Sequence, residues 1–227
     1  MELLGREVPD SSLRDALLIA VGYLFGSLPW GYWLPRLVAG ADIRTLGSGN
    51  LGATNVWRTL GFKLAVAVAL LDIAKGAAAA AFGLWLADDL VAVLAGCAAM
   101  AGHWRPLFVR FARGGKIVAT TGGVGLAVAP FATLSAAGVW IAVFLVTRYA
   151  SVSSMAAAAS LPLFALLFGA SWPVLAFTAG GAVAIVLLHR TNIARLARGQ
   201  ENRMSLRRRR TPPGLGTPGT PLRSKRV

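Results

Sequence analysis

Five stretches of this chain run almost without charge for longer than a water-soluble fold tolerates. Residues 16–35, 64–87, 90–104, 117–147 and 149–189 are apolar runs of 20, 24, 15, 31 and 41 residues, and only Asp72 and Lys75 interrupt the second. About 20 apolar residues in a helix cross a hydrocarbon core about 30 Å thick. The 31-residue run is too long for one crossing and slightly short for two, and Pro130 near its middle favours two short helices. The 41-residue run holds two, with a turn at 169–173. These runs predict an all-α membrane protein of about seven transmembrane helices, with five or six as competing counts. Composition agrees: Asp, Glu, Lys and Arg make up 14% of the 227 residues, against about 25% in ordinary globular chains. Lipid must cover what charge cannot.

The charge that exists is placed unevenly. From His189 onward there are eleven bases and one acid, and the other 188 residues hold twelve bases and eight acids. Between the apolar runs, bases fall in every second connection: Arg36 to Lys63, then Arg105 to Lys116, then Arg148, then the tail. By the positive-inside rule the N-terminus is outside and the C-terminus cytoplasmic, which an odd span count fits. Glu2, Glu7, Asp10 and Asp15 outnumber Arg6 and Arg14 near the start, unlike the positive leader of a secretory signal. Residues 1–15 therefore read as an acidic extracytoplasmic tail, 16–203 as the membrane domain and 204–227 as a basic, Pro/Gly-rich disordered tail. A net charge of +14 raises the question of nucleic acid, but no reader motif is present, and a basic edge against anionic lipid is the more economical account. The single Cys97 excludes an internal disulfide and a cysteine zinc cluster, and two histidines exclude most histidine metal sites. No metal and no cofactor is expected.

Three polar clusters fall on the predicted cytoplasmic side. The first runs Gly47, Ser48, Gly49, Asn50, Leu51, Gly52, Ala53, Thr54, Asn55, with Arg44 before it and Arg58 after. Its glycines satisfy a dinucleotide fingerprint, but no βαβ unit surrounds them. Small residues still let backbone N–H groups ring an anion. A glycine-rich turn between spans is the bland alternative. The second holds His103, Arg105, Arg110, Arg113, Gly114, Gly115, Lys116, Thr120 and Thr121. It is either a phosphate cradle or positive-inside charge with a helix cap. The third is His189, Arg190, Thr191 and Asn192, continuing to Arg195 and Glu201. His189 and Asn192, three apart, share a helix face. Asp72 and Lys75, inside a span, are placed to form a salt bridge. Many cations and amides with few acids imply an anionic ligand met at the lipid boundary.

These residues resemble the bacterial acyl-phosphate-dependent glycerol-3-phosphate acyltransferases, the PlsY family, over about residues 16–203. Its first motif is present as Gly26, Ser27, Leu28, Pro29, Trp30, Gly31, Tyr32, then Asp42, Ile43, Arg44, Gly47 through Asn55, and Arg58. Asp72, Lys75 and Gly76 also fit. The second is mostly present between Gly102 and Thr120, and the third between His189 and Glu201.

The resemblance implies a seven-span enzyme of the bacterial cytoplasmic (inner) membrane. It would transfer a fatty acyl group from acyl phosphate to the 1-hydroxyl of glycerol 3-phosphate. The products are lysophosphatidate and phosphate, and neither coenzyme A nor acyl carrier protein serves as donor. By motif, Ser48, Arg58, Lys116, His189 and Asn192 carry the chemistry. Arg44, Gly47, Gly49, Asn50, Gly52, Thr54, Asn55, His103, Gly114, Gly115 and Thr120 bind substrate.

Two departures adjoin the key lysine: Ile117 stands where the family has glycine, and one extra residue, Ala112 or Arg113, precedes the glycine pair. Isoleucine resists a positive φ. Our expectation is that the extra residue shifts the loop so that Ile117 starts the next helix. The alternatives are a non-catalytic lipid-phosphate-binding relative and a membrane transporter of a phosphorylated compound. Acyl-chain preference and oligomeric state are not encoded in these patterns.

Overall fold

The computed structural model describes residues 11–204. The predicted tails therefore lie outside the described residues, apart from residues 11–15 and Met204. Within that range the chain is helical and forms no strand. The helices are α1 (Ser11–Gly26), α2 (Trp30–Ala39), α3 (Ala53–Leu60), α4 (Phe62–Leu86), α5 (Asp89–Trp104), α6 (Val118–Val128), α7 (Pro130–Thr147), α8 (Ala150–Leu167), α9 (Trp172–Leu188) and α10 (Arg190–Ala197).

Four of the five apolar runs became helices where their charges and prolines said they would, while the first, 16–35, is broken before Pro29 into α1 and α2. Pro130 opens α7 and so divides the 31-residue run, while Gly169, with a φ of 68°, turns the chain between α8 and α9. Asp88 caps α5 by accepting from Val91 N at 3.0 Å, which fixes the tight corner after α4. The first helix starts before its charge-free run and carries the Arg14–Asp15 pair, at 2.8 Å, in its first turns.

By length and composition, five spans qualify among the described residues, the first being α1 and α2 taken together. A sixth qualifies if α9 and α10, bent by 55°, count as one. The seventh predicted position is α6, whose 11 residues reach only about 16 Å. Such a half-crossing is tolerated where protein rather than lipid surrounds it, and α6 packs against α4, α5, α7 and α9.

Small residues make the contacts. Gly22 and Gly26 of α1 lie so close to α5 that a Cβ would land on the carbonyls of Ala95 and Ala99. Gly76 and Gly123 seat α4 and α6 on each other's backbone in the same way. Large apolar side chains point the other way: Trp85, Phe131 and Leu145 are exposed on the outside of the bundle. This is the pattern of helices that pack by close backbone approach in lipid.

Gly26→Val is expected to cost at least about 2 kcal/mol by overpacking, lowering the melting temperature in detergent by about 5 °C. Gly138 has open space around it, so Gly138→Ala should leave stability unchanged or raise it by up to about 1 kcal/mol.

Candidate active site

The first glycine loop is shaped by one buried amide. Asn55, on the first turn of α3, is 3% exposed. Its Nδ2 donates to the carbonyls of Leu46 and Asn50, both at 3.0 Å, and its Oδ1 accepts from Ser48 N at 3.0 Å. Gly47 and Gly49 take positive φ of 57° and 67°, and a Cβ on Gly47 would strike Asn55 Oδ1. Only glycine suits that point. Asn50 closes a local turn by accepting from Gly52 N at 2.8 Å, and its Nδ2 reaches across to the Gly114 carbonyl at 3.0 Å. The first and second motifs are thus bonded to each other. Ser48 and Thr54 remain exposed at the rim.

The second motif meets the third at Lys116, whose ammonium donates to Asn192 Oδ1. Asn192 Nδ2 donates to Glu201 Oε1 at 2.7 Å, and Ser151 Oγ, from α8, donates to the same oxygen at 2.9 Å. Arg195 pairs with Glu201 Oε2 at 2.7 Å. Burial opposes ionisation of Glu201, but these donors hold its carboxyl below the usual range. His189 is 3% exposed. Its Nδ1 bonds the Ile185 carbonyl at 2.8 Å, so Nδ1 carries the proton and Nε2 is the nitrogen left for a ligand.

Two half-buried cations of these motifs, Arg58 and Lys116, have no carboxylate of their own among the described residues. Arg58 forms no ion pair among the described residues, its buried Nε has no partner, and its Nη2 faces Met204 Sδ at 3.9 Å. Burial pulls its pKa down, Glu201 acts against that, and Arg195 adds to it. Burial likewise lowers Lys116 to about 8, with Glu201 opposing and Arg195, Arg113 and Arg58 reinforcing the shift. A half-buried guanidinium and ammonium around one satisfied acid leave a surplus of positive potential, which an anion would relieve.

Not every predicted site residue converges there. Arg44 is held by Asp42, Nη2 to Oδ2 at 2.6 Å, and stacks over Tyr32 at 4.5 Å. Its side-chain hydrogen bond helps hold Asp42 at about 2. Thr120 is fully buried between α6 and α4, against Gly76. His103 turns inward to Lys75 and Asp72. Gly114 and Gly115 are buried, their N–H groups donating to the carbonyls of Trp104 and His103 at 3.0 and 3.1 Å. Ser151 and Met204 were not singled out from sequence, and Glu201, read as the end of the third cluster, was given no role in the site. Glu201 had one signal, as the lone acid among eleven bases. Ser151 had none. No group of three or more His, Cys, Asp or Glu side chains able to hold a metal occurs among the described residues.

The loop before Lys116 absorbs its extra residue differently from expectation. Arg110 and Phe111 take positive φ of 54° and 56°, curling the segment under Pro106, whose carbonyl accepts from Phe111 N at 2.9 Å. Ile117 does not start α6 but caps it, at φ 59° and ψ −7°. A non-glycine residue there costs of order 1–3 kcal/mol. Its side chain is 4% exposed and packed in the core cluster with Met100 and Val124, and burying an isoleucine contributes about 1.5–3 kcal/mol. The two effects cancel to within their size.

Comparison with known proteins gives one answer. The family described as Glycerol-3-phosphate acyltransferase matches residues 16–199. A glycerol-3-phosphate acyltransferase of Desulforudis audaxviator is 46% identical over 198 residues, covering 87% of this chain and all of the relative. One from Synechococcus sp. (strain JA-3-3Ab) is 45% identical over 191 residues, covering 84% of this chain and 94% of its own. Crystal structures of PlsY, an integral membrane glycerol 3-phosphate acyltransferase, superpose in two states. The glycerol 3-phosphate form has a TM-score of 0.81 at 39% identity, and the lysophosphatidic acid form 0.79 at 38%. Each covers 85% of this chain and 96% of the crystallised one. With that match along nearly its whole membrane domain, the chain belongs to the glycerol-3-phosphate acyltransferase family of integral membrane enzymes.

Proposed function

We propose that this protein transfers a fatty acyl group from acyl phosphate to the 1-hydroxyl of glycerol 3-phosphate, releasing lysophosphatidate and inorganic phosphate, at the cytoplasmic face of a bacterial inner membrane. The observation that carries this reading is the pair of half-buried cations, Arg58 and Lys116, set between two glycine loops and lacking carboxylate partners of their own. The crystallised relatives described in glycerol 3-phosphate and lysophosphatidic acid forms support the acceptor and the product.

The chemistry asks for positioning more than for a nucleophile. The hydroxyl oxygen attacks the acyl carbon, the bond from that carbon to the phosphate oxygen breaks, and the proton passes to the departing phosphate or to His189 Nε2. Two phosphates brought together repel one another. Arg58 and Lys116 offset that repulsion and stabilise the oxyanion that forms, while Ser48 and the loop amides orient the acceptor. Asn192 holds Lys116 in place and is itself held by Glu201. The non-catalytic alternative rested on Ile117, and it loses its motive because Ile117 adopts the left-handed conformation that glycine favours. The transporter alternative would need a polar path through the bundle, whereas these clusters gather at one end.

The test is purified protein with acyl phosphate and labelled glycerol 3-phosphate, with acyl-CoA as the control donor. Equal turnover with acyl-CoA would refute the donor assignment. Lys116→Ala and Arg58→Ala should each lose roughly 10²-fold in turnover, the scale of removing one electrostatic stabiliser. An undiminished Lys116→Ala enzyme would remove the second motif from the site.

A lysine held at about 8 carries its charge below that pH and loses it above. Turnover should therefore fall as pH rises through about 8. Lys116→Arg, if active, should move the fall to higher pH; an unchanged alkaline limb would mean that another group sets it.

Orientation is tested by labelling single cysteines in a Cys97→Ala background. Positions 50 and 113 should resist an impermeant reagent added outside intact cells and react once the membrane is opened.

A further inference from the structure

Three ionisable side chains meet inside the bundle, and acyl transfer as described gives them no task. The side chains of Asp72 and Lys75 are each 2% exposed, and that of His103 is 7% exposed. An ammonium has three protons to donate and nothing to accept. Three groups surround Lys75 Nζ: Asp72 Oδ1, an ion-pair contact at 2.8 Å, and two hydrogen-bond acceptors, His103 Nδ1 at 2.8 Å and the Leu28 carbonyl at 3.0 Å. Because Lys75 can only donate, His103 Nδ1 must be the unprotonated ring nitrogen. The imidazole then carries its proton on Nε2.

These groups sit on separate pieces of the fold, and two of the pieces, those of His103 and Leu28, back the glycine loops. His103 ends α5. Its backbone carbonyl accepts from Gly115 N at 3.1 Å, and its ring presses on Gly115 so closely that a Cβ there would land on Nε2. Lys116 follows directly. Leu28 lies in the break between α1 and α2, and α2 places Gly31 against the Leu51 carbonyl, within the first glycine loop. Asp72, on α4, supplies the counter-charge.

We propose that Asp72, Lys75 and His103 form a positioning cluster for acyl transfer, in which the Lys75 ammonium, through His103 and Leu28, sets the loop bearing Lys116 against the loop bearing Ser48. The proposal rests on the acyltransferase reading above. A pair kept for stability alone needs only two groups, and apolar side chains of similar volume serve that purpose as well or better. Here the ammonium is shared among three elements. A displacement of about 1 Å at a reacting centre costs on the order of 10²-fold in rate, which gives such a cluster its use.

The experiment compares three variants in the purified full-length protein: the charge-free double variant Asp72→Leu/Lys75→Met, His103→Gln and His103→Leu. Melting temperature, kcat, KM for glycerol 3-phosphate, the pH profile and calorimetric binding of glycerol 3-phosphate are measured on each. The double variant should melt within about 5 °C of the wild type, yet lose at least about tenfold in kcat. Its alkaline limb should leave the wild-type position near pH 8, because a displaced Lys116 changes its contact with water. His103→Gln keeps an oxygen for Lys75 to donate to and should retain more turnover than His103→Leu.

A purely structural role would change the yield of folded protein and leave kcat per folded molecule and the alkaline limb in place. That result, in the double variant or in the His103 pair, overturns the proposal. If the double variant fails to fold, the His103 pair decides. If the wild type binds glycerol 3-phosphate but shows no turnover with acyl phosphate, the reaction reading has failed. Positioning is then judged by binding: weakened affinity in the variants upholds it and unchanged affinity ends it. A wild type that neither binds nor turns over ends both.

Discussion

In a bilayer a helix gains nothing by hiding leucine from its surroundings, since the lipid is as apolar as the leucine. What holds helices together there is close approach, and close approach needs residues without bulk. The glycines of α1, α4 and α6 meet that requirement at the backbones of α5 and of one another. Everything polar in this protein hangs from those contacts. The end of α5 that carries His103, the short α6 that follows Lys116 and the break before α2 are where they are because glycine and alanine seat the helices. The bulky side chains left on the outside are what the membrane holds.

At one end of that frame, polar groups are organised by amides and one acid rather than by a second coordination centre. Asn55 makes three side-chain hydrogen bonds that bend the first loop, and Asn50 ties that loop to the second. Glu201 gathers Ser151 from α8 and Asn192 and Arg195 from α10. It absorbs Arg195 and so leaves Arg58 and Lys116 without a carboxylate of their own among the described residues. An acid in the midst of cations would ordinarily weaken an anion site. Here its position behind Asn192 makes it a support of Lys116 instead.

The sequence made the membrane architecture legible because lipid imposes one-dimensional rules. Run length, the gap at Asp88 and Asp89, Pro130 and the Gly169 turn are local signals, and each marks a real break between helices. The half-length of α6 was not legible, since only its neighbours show that protein rather than lipid flanks it. The candidate site was legible as a set of residue types, and the links between Asn50 and Gly114 and between Lys116 and Asn192 bring the three motifs together. Direction was not legible. Nothing in the order of residues says that Arg44 turns to Asp42, that Thr120 is buried against α4, or that His103 faces Lys75. Each depends on which group lies across a gap in three dimensions, as does the gathering of Ser151 to Glu201 across 50 positions.

Ile117 carries a consequence beyond its backbone strain. A glycine before α6 would act as a swivel, letting the Lys116 loop move while the bundle stays still. The isoleucine replaces the swivel with an anchor: its side chain lies among Met100 and Val124 in the main apolar cluster, one residue from the ammonium. Loop and core can then only move as one body. A repacking of that cluster therefore has a direct covalent route to Lys116, the residue before Ile117 in the chain.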